Sequence, residues 1–146
     1  MSEMQVPSRE DLVEAITNIY AARLRKEYDT VVAGFAPNAR VTLVGAPDMN
    51  PFSGTFRGHE QIKQALLGID AQLDIRSNSI EAILIDLPNI AVRWHCSGTL
   101  KTNGAAIEED CFDHLHVVDG LIAEYTEFFD TANVGIATQH MLKAAI

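Results

Sequence analysis

Three short turn signals, Leu87-Pro88-Asn89, Asn103-Gly104 and Asp119-Gly120, divide the second half of the chain into runs at 75–86, 90–101, 105–118 and 121–130. Asn-Gly and Asp-Gly between alternating runs are the strongest short-range hairpin signals, because a tight two-residue turn needs positive φ at its centre. The pattern predicts a four-strand antiparallel meander.

The first half reads as helices. Ser8 and Asp11 form a capping-box-like start, and Leu12, Ile16, Ile19 and Tyr20 recur at helical spacing, which predicts a helix over about 9–26. Asp29 is read as the cap of a second, short helix carrying Val31, Val32 and Phe35, ended by Pro37 and Asn38 before an extended run from Arg40 to Gly45. A loop punctuated by Pro and Gly, 47–58, precedes a third helix marked by Ile62, Leu66 and Ile69. The tail from Thr131, with Val134, Ala137, Met141 and Ala145, predicts a C-terminal helix over about 131–145. Helices first and a long sheet second define an α+β domain. With 146 residues, the chain is expected to be one domain that buries roughly 70% of its unfolded surface.

Charge and composition remove several function classes. A formal net charge of −9 without a basic stripe disfavours nucleic acid and acidic membrane surfaces. No apolar run reaches the ~20 residues of a membrane helix. Met1 to Pro7 carries no export pattern, so the cytoplasm is the expected compartment. Cys96 and Cys111 belong to no Cys-x-x-Cys pair and read as reduced thiols. Phosphate-loop, dinucleotide-loop, zinc-helix and nucleophile-elbow motifs are absent, so neither a cofactor nor a metal is expected.

Side chains alternate faces along a strand, so a polar group on an apolar face requires a reason. In 121–130 the apolar set is Leu121, Ala123, Tyr125, Glu127 and Phe129; in 110–118 it is Cys111, Asp113, Leu115 and Val117. Glu127 and Asp113 are the carboxylates out of place. A three-residue loop, Val118-Asp119-Gly120, would pair Asp113 with Tyr125 and Cys111 with Glu127. A two-residue turn would pair Asp113 with Thr126. The first matches apolar face to apolar face and is the expectation. Taking Asn103-Gly104 as a two-residue turn sets Trp94 opposite Asp113 and Cys96 opposite Cys111. The inner wall then reads Trp94, Cys96, Asp113, Tyr125, Glu127 and Phe129. Two carboxyls among aromatic rings are poorly solvated and repel each other, which raises at least one pKa and suits it to acid/base work. The alternative is that Asp113 and Glu127 are solvated at a rim, or simply bonded by Tyr20, Tyr125 or Trp94.

In the favoured register Arg93, His95, His114 and His116 lie on the opposite face, read as a solvated or subunit-facing surface rather than a metal site. A three-residue Asn-Gly loop would instead turn Arg93 and His95 inward beside Asp113. Cys96 is read as a core thiol, since His95 points to the other face.

Phe35-Ala36-Pro37-Asn38-Ala39-Arg40-Val41, Phe56-Arg57-Gly58 with Ile62, Val92-Arg93-Trp94, Gly98-Thr99 and 119–125, Asp-Gly-Leu-Ile-Ala-Glu-Tyr, with 128–132, Phe-Phe-Asp-Thr-Ala, resemble a SnoaL-like protein of the nuclear-transport-factor-2-like superfamily over roughly 8–135. The resemblance implies a cone-shaped, curved sheet wrapped by N-terminal helices around an internal pocket, frequent homodimerisation through the sheet, and cofactor-free isomerases, cyclases, dehydratases and epoxide hydrolases as well as pure binding modules. Asp113-His114 resembles the Asp-His that supplies an oxyanion-hole acid in ketosteroid isomerases, and Tyr20 resembles a site tyrosine. Leu43 stands where those enzymes carry their general-base aspartate. Glu127 falls where limonene epoxide hydrolases have an active-site aspartate, whereas Val41 and Leu43 replace the water-positioning pair.

The resulting expectation is a cofactor-free isomerase, cyclase or dehydratase in which Asp113 or Glu127 moves a proton on a hydrophobic carbonyl or hydroxyl compound. Tyr20, Leu43, Trp94, Cys96, Tyr125 and Phe129 would line the pocket. The competing expectation is a non-catalytic ligand-binding or interaction module, and a third is a pH-sensitive dimer face bearing the histidines.

Overall fold

The computed structural model describes residues 6–145, with side chains described through residue 138. The elements are α1 (Arg9–Leu24), α2 (Tyr28–Ala33), β1 (Phe35–Leu43), β2 (Gly54–Arg57), α3 (Gly58–Gln72), β3 (Leu73–Asp86), β4 (Asn89–Leu100), β5 (Ala106–Val118), β6 (Leu121–Phe129) and α4 (Thr131–Ala145). Six strands form one open sheet in the order β2-β1-β6-β5-β4-β3. The meander β3 to β6 is antiparallel, and β1 joins β6 in parallel, so the sheet is mixed.

Local chemistry explains the helix starts. The Ser8 hydroxyl accepts from the Asp11 amide at 3.1 Å and the Asp11 carboxylate accepts from the Ser8 amide at 3.2 Å, a complete capping box. Leu12, Ile16 and Tyr20 then bury one face of α1 against the sheet. The second helix begins two residues earlier than the sequence suggests: Glu27 holds the cap position and Asp29 lies in the first turn. It stops at Gly34, so Phe35 already belongs to β1, and Pro37 and Asn38 sit inside that strand rather than ending a helix. Gly54–Arg57, read as loop from sequence, pairs as an edge strand with β1. Such a short edge strand carries too little periodicity to be seen in sequence. In α4 Val134 and Ala137 are buried, while the side chains of Met141 and Ala145 lie outside the described residues.

Both hairpin registers differ from expectation by two residues, and for physical reasons. Asp119 (φ 52°) and Gly120 (φ 77°) form a two-residue turn that pairs Val118 with Leu121. A bulge then places Ala123 as the extra residue of β6, because His116 pairs with Glu124 and Val117 with Ile122. The bulge restores the match of apolar faces that the turn alone would break: Asp113 faces Glu127 and Cys111 faces Phe129. Between β4 and β5 the connection spans residues 101–105, closed by Leu100 N–H to Ala105 O at 2.9 Å and Gly104 N–H to Leu100 O at 2.8 Å. Trp94 therefore pairs with Cys111 and Cys96 with Glu109. A shift of two keeps every side chain on its expected face.

Candidate active site

The inner face of the sheet and helices α1 and α3 enclose a cavity of about 160 Å³ with an overwhelmingly apolar wall. Five of the six strands contribute: Val41 and Leu43 from β1, Trp94 and Cys96 from β4, Glu109 and Cys111 from β5, and Tyr125, Glu127 and Phe129 from β6 by alternation, and Ile75 and Asn78 from β3 across a register irregularity. Helix α1 adds Ile19, Tyr20 and Arg23, which share one helical face. Its position is fixed where Asn78 Nδ2 donates to the Tyr20 carbonyl at 2.9 Å.

Tyr20, Trp94, Asp113 and Tyr125 converge. Asp113 is fully buried and stands behind the wall: its Oδ2 accepts from Trp94 Nε1 at 2.6 Å and from the hydroxyls of Tyr20 and Tyr125. The two hydroxyls lie 3.3 Å apart, and the rings of Tyr20 and Trp94 meet edge to face at 5.4 Å. Asp113 Oδ1 has no partner among the described residues. Burial raises the Asp113 pKa to about 7, even though the Tyr125, Tyr20 and Trp94 hydrogen bonds pull it down. Burial and the neighbouring Asp113 carboxyl raise both tyrosines well above their usual range. All three donors line the cavity, whereas Asp113 does not.

Glu127 is placed differently. It stands across from Asp113, and on its other side across from Leu43 of β1, and its remaining exposed surface opens onto the cavity. Among the described residues nothing hydrogen-bonds its carboxyl, so burial first and repulsion by Asp113 second hold its pKa well above the usual carboxylate range. Nearby, the Cys111 thiol donates to the Glu109 backbone carbonyl at 3.9 Å, and the neighbouring Cys96 and Cys111 thiols shift each other's pKa, Cys96 downward and Cys111 upward.

Arg93 and His95 do not turn inward. They occupy the outer face, where Arg93 pairs with Glu81 at 2.9 Å and His95 with Asp110 at 2.9 Å, because the register differs from the expected one by an even number of residues, two, and so keeps the faces of β4. Among the described residues no group of three or more His, Cys, Asp or Glu side chains could hold a metal ion, and no helix is long and apolar enough to cross a membrane. Sequence reasoning missed Glu109, which continues the Asp113-Cys111 alternation two residues further, and Arg23, whose helical face is that of Tyr20. Extending the same periodicities would have found both.

Comparison with known proteins places this geometry in a family. No curated protein matches the sequence. Among solved structures, an NTF2-like protein from Burkholderia xenovorans LB400 is similar with a TM-score of 0.78 at 21% identity, covering 90% of this chain and 98% of that one. A putative isomerase from Bacillus subtilis gives 0.79 at 17%, covering 92% and 96%. An LEH-like epoxide hydrolase from M. tuberculosis gives 0.71 at 16%, covering 95% and 97%. At these identities the likeness speaks for the fold, an α+β cone around a pocket. Residues 16–125 match the SnoaL-like domain, and the chain belongs to that family.

Proposed function

We propose that the chain is a cofactor-independent isomerase, cyclase or dehydratase acting by general acid/base catalysis on a hydrophobic carbonyl or hydroxyl compound, with Glu127 moving the proton. The observation that carries this reading is a carboxyl without a hydrogen-bond partner among the described residues, facing an apolar cavity. A carboxyl raised above the ordinary carboxylate range keeps a proton to give, and its conjugate base, poorly solvated, takes one back readily. Asp113 acts one layer behind. While ionised it draws the Tyr20 and Tyr125 protons toward itself; once protonated it frees a tyrosine hydroxyl to donate to a ligand oxygen. Trp94, Leu43, Cys96 and Phe129 supply the surface against which the apolar body of the substrate packs. We further propose that the protein works as a homodimer through the outer sheet face, in a cytoplasm that keeps Cys96 and Cys111 reduced.

The test begins with a thermal-shift panel of steroids, aromatic polyketides and terpenoids, since a ligand of the native state raises the melting point. Hits are then assayed for conversion with wild type and Glu127→Gln. Binding retained with turnover lost is expected; unchanged turnover in Glu127→Gln sinks the assignment. One observation favours a non-catalytic binding module: Leu43, not a second acid, faces Glu127 across β1 and β6. That reading predicts bound compounds recovered unchanged, with affinity that survives both Glu127→Gln and Asp113→Asn.

A further inference from the structure

Glu109 is the buried acid of the cavity wall that the proposed reaction leaves unused. It is 4% exposed, its Oε1 accepts from Asn133 Nδ2 at 2.9 Å, and its Oε2 meets no partner among the described residues. An unpaired carboxyl in such a place is costly unless something outside the described chain completes it. Asp113 and Glu127 face each other, and Glu109 lies four residues beyond Asp113 on β5. At about 3.4 Å per residue, the backbones of the two glutamates are separated by roughly 13 Å along the strands. The cavity therefore has two acidic stations with an apolar and thiol wall between them.

Among the described residues the surroundings of Glu109 offer no counter-charge. The titratable groups that face it are Cys96 on β4, Cys111 beside it on β5, Glu127 on β6, and Asp130 and Asp110 nearby, and all of these are neutral or acidic. Arg23, the cation in the cavity wall, is bonded to Asp70 at 2.9 Å. Burial accordingly lifts Glu109 to about 7, against the pull of the Asn133 hydrogen bond.

We infer that the cavity takes an apolar ligand bearing a primary ammonium at one end, held by Glu109, while its other end lies at Glu127 and the tyrosine hydroxyls. A hydroxyl would give Oε2 a hydrogen bond but leave the charge unbalanced. An ammonium supplies the donor and cancels the charge in the same low-dielectric space, and the net negative charge of the chain draws cations toward it. The assignment of the second end rests on the acid/base reading above; the assignment of Glu109 does not.

Calorimetric titration of the full chain with 4-phenylbutylamine and with the neutral 4-phenylbutan-1-ol, at pH 8.5 and 5.5, tests the inference on wild type, E109Q and E127Q. The amine is expected to bind at least about tenfold more tightly than the alcohol at pH 8.5 and to lose roughly tenfold or more at pH 5.5, where Glu109 is protonated. The alcohol's affinity should stay level. The amide of E109Q still accepts from Asn133, so this variant folds with a melting point at pH 8.5 no lower than that of wild type and keeps its affinity for the alcohol while losing the preference for the amine. E127Q retains that preference, which separates failure of this inference from failure of the proton-transfer assignment. Equal affinity for amine and alcohol at pH 8.5, binding of neither, or an undiminished preference in E109Q overturns it.

Discussion

Asp113 and Glu127 are direct cross-strand partners on β5 and β6, yet Asp113 is closed behind three hydrogen-bond donors while Glu127 opens onto the cavity with none. One strand pair thus presents two carboxyls in opposite situations. Asp113 fixes the orientation of the tyrosines and the indole; Glu127 remains available to a ligand.

The elevated pKa of Asp113 gives stability a defined pH dependence. Its folded value of about 7 lies above the ordinary 3.8, so between those values the folded state binds more protons than the unfolded state. Stability is therefore fully present below about pH 4 as far as this group is concerned, and is lost as pH rises toward and through 7. Glu109, raised to about 7, and Glu127 act in the same direction. Thermal unfolding from pH 4.5 to 8 should show the melting point falling by roughly 5 °C or more. Asp113→Asn should flatten that slope without abolishing it, and a wild-type melting point that rises across the window contradicts the assignment.

The two tyrosines share one acceptor atom, so their contributions should not add. Each hydroxyl donates to a buried carboxylate, an interaction of about 1.5–3 kcal/mol. Tyr20→Phe and Tyr125→Phe should each cost that much at pH 8, where Asp113 is ionised, and less at pH 5. In urea unfolding, the double variant should differ from the sum of the singles by more than about 0.5 kcal/mol. Additive losses independent of pH would mean that the hydroxyls serve packing alone.

Much of this site was legible because alternation survives a register error of two residues. A shift of two residues in both hairpins left Trp94, Cys96, Asp113, Tyr125, Glu127 and Phe129 on one face, as the apolar pattern required. The registers themselves were not legible. They depend on the Ala123 bulge and on a connection in which Lys101 N–H donates to the Gln72 carbonyl at 2.9 Å, a contact with a segment 29 residues earlier that no local pattern encodes. The distinction between Asp113 and Glu127 was equally hidden, since it depends on where Tyr20 of α1 arrives, across 93 residues of sequence. Short β2 escaped because four residues carry no usable period.

Gly98 marks a close approach that should tolerate no side chain. A Cβ built there would lie 2.3 Å from the Asp74 carbonyl oxygen and 3.0 Å from the Ile75 Cα, backbone atoms of β3 that cannot swing aside. Gly98→Ala should force β3 and β4 apart beside the cavity and destabilise the fold by roughly 3 kcal/mol or more, judged by the usual range for overpacking. Gly104→Ala meets nothing within 4 Å and pays only for its positive φ of 72°, costing about 1 kcal/mol. Chemical denaturation of the two variants side by side checks the contrast, and equal losses would remove the argument.

The outer face of the sheet carries the remaining prediction. Phe112 and Phe128 are cross-strand partners that stay 44% and 47% exposed, and Arg93 lies directly opposite Phe112 on β4. Large aromatic side chains side by side on a strand surface are a costly arrangement in water and a favourable one when a second copy covers them. The sheet also bears His95, His114 and His116 on this side, with the pKa of His95 raised by its hydrogen bond to Asp110. In a two-fold pair each of these charges faces its own symmetry mate or a near neighbour. Sedimentation at pH 8 should therefore report a dimer, Phe112→Glu a monomer with an unchanged response to cavity ligands, and wild type at pH 5.5 a mass shifted toward the monomer as His95 charges. A wild-type monomer at pH 8 would show that the aromatic pair is left to solvent. A dimer unaffected by Phe112→Glu would place the interface elsewhere on the molecule.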